Sequence, residues 1–138
     1  MERLALDTSF LIDLQNERRA RGKVRGATAF LEAHQSTRLL LPSVALGEYL
    51  EGFDDPESEA AQALVAHLDV LPVTTAVAHL YARAARSLRA AGRLIGTNDL
   101  WIACTASAAS VPIVTRNVAH FQRVPELRVL GYSVGGHP

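Results

Sequence analysis

Three acidic residues stand where a carboxylate has mostly apolar company. Asp7 ends the stretch RLAL, Glu48 sits in VALGEYL among apolar residues and glycine, and Asp99 heads GTNDLWIACTASAA. In that last segment Leu100, Trp101, Ile102, Ala103, Cys104 and Ala106 leave almost no polar face, which reads as a buried helix. Asn117 closes a further apolar stretch, VPIVTRN, with Thr115 and Arg116 beside it. Taken singly, each residue has a structural explanation. Asp7 caps a following helix, worth about 1 kcal/mol. Asp99 is a first-turn acid worth about 0.3–1 kcal/mol, with Thr97 or Asn98 as the cap. Glu48 is an ordinary helix position. Taken together they weigh differently. Carboxylates about 4 Å apart repel by roughly 4 kcal/mol per pair at an effective dielectric of about 20, so a cluster must be protonated or hold a cation. Hard oxygen donors without Cys or paired His point to Mg²⁺ or Mn²⁺ and away from zinc. Such ions lower the pKa of a bound water and relieve developing negative charge. The histidines at 34, 67, 79, 120 and 137 show no obvious pairing for an acid/base site that works without metal.

The elements around these residues are short apolar strands alternating with helices. RLAL (3–6) is a strand and TSFLIDL the helix after it; a basic stretch, 16–26, precedes a helix around ATAFLEAH. TRLLLPSV (37–44) is a second strand stopped by Pro42, with Ser43 capping a helix that ends near Gly52. DDPESEAAQALVAHL starts another helix, and DVLPV (69–73) is a third strand. Val77, Leu80, Tyr81, Ala84, Ala85, Leu88 and Ala91 follow helical spacing, closed by Gly92. After the apolar helix come strands at 111–117 and 127–132. This alternation predicts one α/β domain over residues 1–138, a mainly parallel sheet of about five short strands with helices on both faces. Sites in such sheets form outside the carboxyl ends of the strands, the edge to which Asp7, Asn117, Glu48 and Asp99 all belong.

Composition sets the class. With 49% hydrophobic and 20% charged residues in 138, the chain has the balance of a soluble globular domain able to bury a core. It shows no apolar run of membrane-spanning length and no signal-peptide pattern, and its single Cys104 suits a reducing cytoplasm. Formal charge is zero, but residues 70–138 carry seven arginines against two acids, one of them Asp99. Arg83, Arg86 and Arg89 read as the wet face of an amphipathic helix. Arg93 and Arg116 lie closer to the predicted edge and are the better phosphate contacts. Arg18, Arg19, Arg21, Lys23 and Arg25 read as a solvated loop suited to RNA or to an acidic partner.

LDTS at 6–9, GE at 47–48, GTNDLWIA at 96–103 and VTRNVAHF at 114–121 resemble, in order and context, the PIN-domain ribonucleases, and most closely the VapC toxins of bacterial VapBC toxin–antitoxin pairs. The resemblance covers essentially the whole chain. It implies a PIN-like fold and a Mg²⁺-dependent endoribonuclease, with Mn²⁺ as substitute, cutting single-stranded RNA to 5′-phosphate and 3′-hydroxyl ends. By position it makes Asp7 and Asp99 metal ligands and Glu48 the acid between them, reaching metal through water. Asn117 stands where many relatives carry a fourth acid. Ser9 and Thr115 match polar positions beside the site, and His120 falls where some relatives have another acid, with a structural role the simpler reading. The resemblance also implies a homodimer held by a VapB-type antitoxin. Two other readings are a PIN-like RNA-binding scaffold, against which intact acids count, and a structure-specific DNA nuclease. A phosphatase of the haloacid-dehalogenase type needs D-x-D, and Asp7 is followed by Thr8 and Ser9.

Overall fold

The computed structural model describes residues 2–20 and 26–132. Its elements run β1 (Arg3–Leu6), α1 (Thr8–Ala20), α2 (Gly26–Ala33), β2 (Arg38–Pro42), α3 (Ser43–Leu50), α4 (Glu59–Gln62), β3 (Asp69–Leu71), α5 (Thr75–Ala90), α6 (Thr97–Ala108), β4 (Ile113–Val114), α7 (Val118–Phe121) and β5 (Val129–Leu130). The strands form one sheet in the order β3-β2-β1-β4-β5, and every pairing is parallel. The expected mainly parallel sheet is therefore wholly parallel.

The order decides where a site can form. The chain steps outward from β1 to β2 and β3, then returns past β1 to place β4 and β5 on the other side. The direction of winding reverses between β1 and β4. That reversal opens a crevice beyond the strand ends. Because such crossovers are right-handed, α1 and α2 lie on one face of the sheet and α5 and α6 on the other. Both faces are thereby covered, which is why Leu4–Leu6 of β1 and both residues of β4 are apolar without alternation. Leu4, Ala5, Leu6, Ile113 and Val114 are buried, packed with Phe10, Leu11, Leu41, Leu100, Ile102 and Phe121 in one core.

Several boundaries differ from the sequence-based expectation, each for a local reason. Ser43 does not cap α3: it is the first helical residue, Pro42 holds the cap position, and no side chain bonds there. A proline's fixed φ and missing N–H suit that junction of strand and helix. The helix expected across DDPESEAAQALVAHL is one turn, Glu59–Gln62, capped by the Ser58 hydroxyl on the Ala61 N–H. Arg18 and Arg19, expected in a loop, form the last turn of α1; Arg21, Lys23, Arg25 and His137 fall outside the described residues. The α5 expectation holds: Val77, Ala85 and Leu88 are buried, Arg83, Arg86 and Arg89 are exposed, and Gly92 ends the helix at φ +66°. Among the described residues no helix is long and apolar enough to cross a membrane.

Candidate active site at the carboxyl edge of the sheet

The register of β1 against β4 builds the centre of the site. Ala5 pairs with Ile113 and Leu6 with Val114, so Asp7 and Thr115 leave the sheet side by side. The Asp7 N–H donates to the Val114 carbonyl at 3.2 Å, and the Thr115 N–H to the Leu130 carbonyl at 3.0 Å. Asp7 is 3% exposed and its two oxygens are held separately. Oδ1 accepts from the Ser9 hydroxyl at 2.7 Å and from the Phe10 N–H at 3.0 Å, the bond of an N-cap on α1. Oδ2 accepts from the Thr115 hydroxyl at 2.6 Å, which in turn accepts from the Asn117 N–H at 2.9 Å. The cap reading of Asp7 is realised, and the same carboxylate also accepts from Thr115 at the end of β4.

Burial raises the Asp7 carboxyl above its ordinary value of 3.8, its hydrogen bonds pull it back, and the charge of Asp99 pushes it up further. Asp99 is thus near enough to be felt electrically. All three donors to Asp7 are neutral, so a buried carboxylate stands at the crevice beside a second one without a cationic partner among the described residues. Such a group neutralises itself or binds a cation.

Asp99 occupies the third position of α6, where the helix dipole favours its ionised form. The expected side-chain cap is absent: Gly96 holds the cap position with no side-chain bond. Asn98 is used elsewhere, donating to Glu48 Oε2 at 3.1 Å. The other oxygen of Glu48 accepts from the Thr8 hydroxyl at 2.6 Å. Half-buried Glu48 is thereby tied to α1 and α6 at once, which accounts for an acid among apolar neighbours. His120, on α7, places Nε2 3.0 Å from Asp99 Oδ2. Asn117 is exposed and starts α7 without a side-chain cap bond. Among the described residues no three His, Cys, Asp or Glu side chains converge as a ready ligand set. Asp7 and Asp99 are the two carboxylates whose charges interact, and Glu48 is bonded to Thr8 and Asn98, their immediate chain neighbours. The fit to Mg²⁺ rests on that pair, since the ion ordinarily takes one or two protein carboxylates and keeps waters.

The two arginines differ. Arg93 is exposed in the loop leading to α6. Arg116 donates from Nη1 to Asp13 Oδ1 at 2.6 Å, and its backbone N–H reaches the Ser9 hydroxyl at 3.3 Å. Asp13 also accepts from the Tyr132 hydroxyl at 2.7 Å. Burial, then the Asp13 contact, drives the Tyr132 hydroxyl well above its ordinary value, so it remains a donor. Sequence reasoning missed Thr8, Asp13 and Tyr132. Asp13 carried the same signal that singled out Glu48: an acid inside an apolar run, FLIDL.

With this geometry in place, comparison with known proteins is direct. The PIN domain family model matches residues 4–127. The chain is 33% identical to Ribonuclease VapC of Rickettsia bellii over 92% of this chain and 94% of that protein. It is also 33% identical to Ribonuclease VapC1 of Haemophilus influenzae strain R2866 over 66% of this chain and 72% of the relative. The solved structure of VapBC-1 from nontypeable Haemophilus influenzae superposes with a TM-score of 0.71 at 27% identity, covering 94% of this chain and 97% of that one. Such coverage leaves one assignment: the chain belongs to the PIN-domain family and, within it, to the VapC group.

Proposed function

We propose that the chain, as a single domain over residues 1–138, is a divalent-metal-dependent endoribonuclease toxin that hydrolyses single-stranded RNA in the cytoplasm. The observation that carries this reading is the buried Asp7 carboxylate at the sheet's switch point, held by neutral donors and with its pKa raised a little further by the charge of Asp99. Its support includes the relatives named as VapC ribonucleases. Asp7 and Asp99 would hold Mg²⁺, or Mn²⁺ in its place, with Glu48 reaching it through water. When bound, the ion supplies a more acidic water and charge relief on the scissile phosphate. The protein's own part is orientation. Ser9 and Thr115 fix both Asp7 oxygens, Thr8 and Asn98 fix Glu48, and His120 steadies Asp99. Asn117 adds an exposed amide beside Thr115, and Arg93 and Arg116 meet phosphates of the strand. The products are 5′-phosphate and 3′-hydroxyl ends.

The partner reading is a VapB-type antitoxin, supported by a relative solved as a VapBC assembly. A groove of about 250 Å³ lined by Gln15, Arg18, Arg19, Tyr49, Ala60, Ala63 and Leu64 suits an acidic, partly apolar segment of it. The Tyr49 hydroxyl is buried there without a hydrogen-bond partner among the described residues. A homodimer is part of the same proposal. The stacked Tyr81 and Trp101 rings, centroids 3.8 Å apart and partly exposed, offer α5 and α6 as its surface.

The test is cleavage of labelled single-stranded RNA with Mg²⁺, with excess chelator, and with Mn²⁺ restored. Cleavage that persists in chelator would overturn the metal reading, and preference for single-stranded DNA would overturn the substrate. Thr115→Val should lower activity by about 10–100-fold, the usual cost of losing a group that orients a ligating side chain. A parental rate in this variant would show that the 2.6 Å bond to Asp7 plays no part.

A further inference from the structure

Arg116 sits one residue before Asn117 and one after Thr115, yet its side chain answers to a different part of the fold. Asp13 is 7% exposed, on the buried side of α1, and spends one oxygen on Arg116 Nη1 and the other on the Tyr132 hydroxyl. The Arg116 side chain remains 42% exposed. One end of the guanidinium is therefore anchored in the protein while the rest faces solvent. A guanidinium has five N–H donors, of which the Asp13 contact uses one. Its backbone N–H meets the Ser9 hydroxyl, the same hydroxyl that donates to Asp7. Arg116 is thus held at two points, its backbone by the Ser9 hydroxyl beside Asp7 and its side chain by Asp13. The Asp13 contact is not needed to satisfy a buried cation, because Arg116 is wet. What the contact changes is freedom: a long side chain that would sample many rotamers in water is restricted to one region.

We propose that Asp13 is a positioning residue that holds the Arg116 guanidinium ready to contact an RNA phosphate next to the Asp7–Asp99 site. This rests on the ribonuclease reading above. Tyr132 completes the anchor. Its ring packs edge-on against Phe10 at 5.0 Å, and its hydroxyl occupies the Asp13 oxygen that Arg116 does not use. Asp13 therefore turns toward Arg116 with a single oxygen in a set direction. Pinning of this kind favours binding by sparing the ordering cost that a free arginine would bear on meeting phosphate.

The experiment compares parent, Arg116→Gln, Asp13→Asn, Asp13→Glu and the double variant Asp13→Asn/Arg116→Gln. Binding to a fluorescent single-stranded 20-nucleotide RNA is read by anisotropy in chelator across a salt series, and KM and kcat are read in Mg²⁺. Arg116→Gln should weaken binding about tenfold and flatten the slope of log affinity against log salt by about 0.7, one phosphate contact on a single strand. Asp13→Asn should weaken binding about fivefold, mainly in KM, with kcat within about threefold. Asp13→Glu should recover part of that loss, and the double variant should bind no worse than Arg116→Gln alone. A residue that only supports the fold would give a further equal loss in the Arg116→Gln background, and that result would overturn the proposal. So would an Arg116→Gln protein with parental affinity and salt slope. A parent that does not bind the RNA would sink the ribonuclease reading along with it, whereas binding and cleavage indifferent to residue 116 would sink this inference alone.

Discussion

Asp7→Asn is expected to abolish cleavage while leaving the protein as stable at neutral pH as its parent, or more so. The rate should fall on the order of 10³-fold, the scale seen when a group that stabilises charge in the transition state is removed. The stability half of the expectation follows from burial. A carboxyl raised above its ordinary value by desolvation binds a proton more tightly folded than unfolded. Its favourable contribution is complete below 3.8 and is lost as pH rises through the raised folded value, so ionised Asp7 burdens the fold at neutral pH. Asparagine keeps the shape and the acceptor for the Phe10 N–H, and is as good an N-cap as aspartate. Its amide N–H₂ reverses the bond to Thr115, whose hydroxyl can accept as well as donate. Thermal unfolding of both proteins at pH 7 and in acid, beside the cleavage assay, checks the claim. The variant's advantage should shrink in acid. A variant several degrees less stable at pH 7 would show that Asp7 serves the fold and not the site.

How much of this was legible in the sequence depends on the range of the interaction. The parallel sheet was, because β1, β2 and β4 are apolar runs separated by helical periodicity, and a chain that alternates in this way has few other ways to pair its strands. Asp7, Glu48 and Asp99 could be singled out as candidates, since each is an acid beside an apolar stretch of sequence. The partners that fix them were not. Thr8 to Glu48, Asn98 to Glu48 and Asp13 to Arg116 span 40, 50 and 103 residues, and no local pattern encodes such pairs. Asn98 shows the limit well: a polar residue before an apolar helix reads as a cap, yet the backbone at Gly96 takes that place and leaves the Asn98 amide for Glu48. The arginines at 116 and 93 looked alike in sequence. Only the fold separates one anchored by a buried acid from one exposed in a loop.

Asp99→Asn is the second large effect, and it isolates the metal. GTNDLWIAC presents Asp99 at the third position of a helix whose following residues, Leu100, Ile102, Ala103 and Cys104, are buried, so the carboxylate rides on a rigid mount. Replacing it costs the fold little. The dipole interaction is worth about 0.3–1 kcal/mol. The pair with His120 is partly exposed on both sides and worth at most about 1 kcal/mol. Divalent ions are where the difference should appear. A ligand that binds only the folded state stabilises it by about 2.7 kcal/mol at 100 times its dissociation constant. For a domain of this size, each kcal/mol raises the melting temperature by about 2–4 °C. Mg²⁺ or Mn²⁺ should therefore raise the parent's melting temperature by several degrees and leave that of Asp99→Asn nearly unmoved, with cleavage reduced on the order of 10²–10³-fold. Calorimetric titration with Mn²⁺ gives the same comparison without RNA or turnover. Equal metal-induced stabilisation of both proteins would remove Asp99 from the ligand set. The acid at the head of the apolar helix would then be only what its position first suggested, a first-turn residue in a favourable dipole.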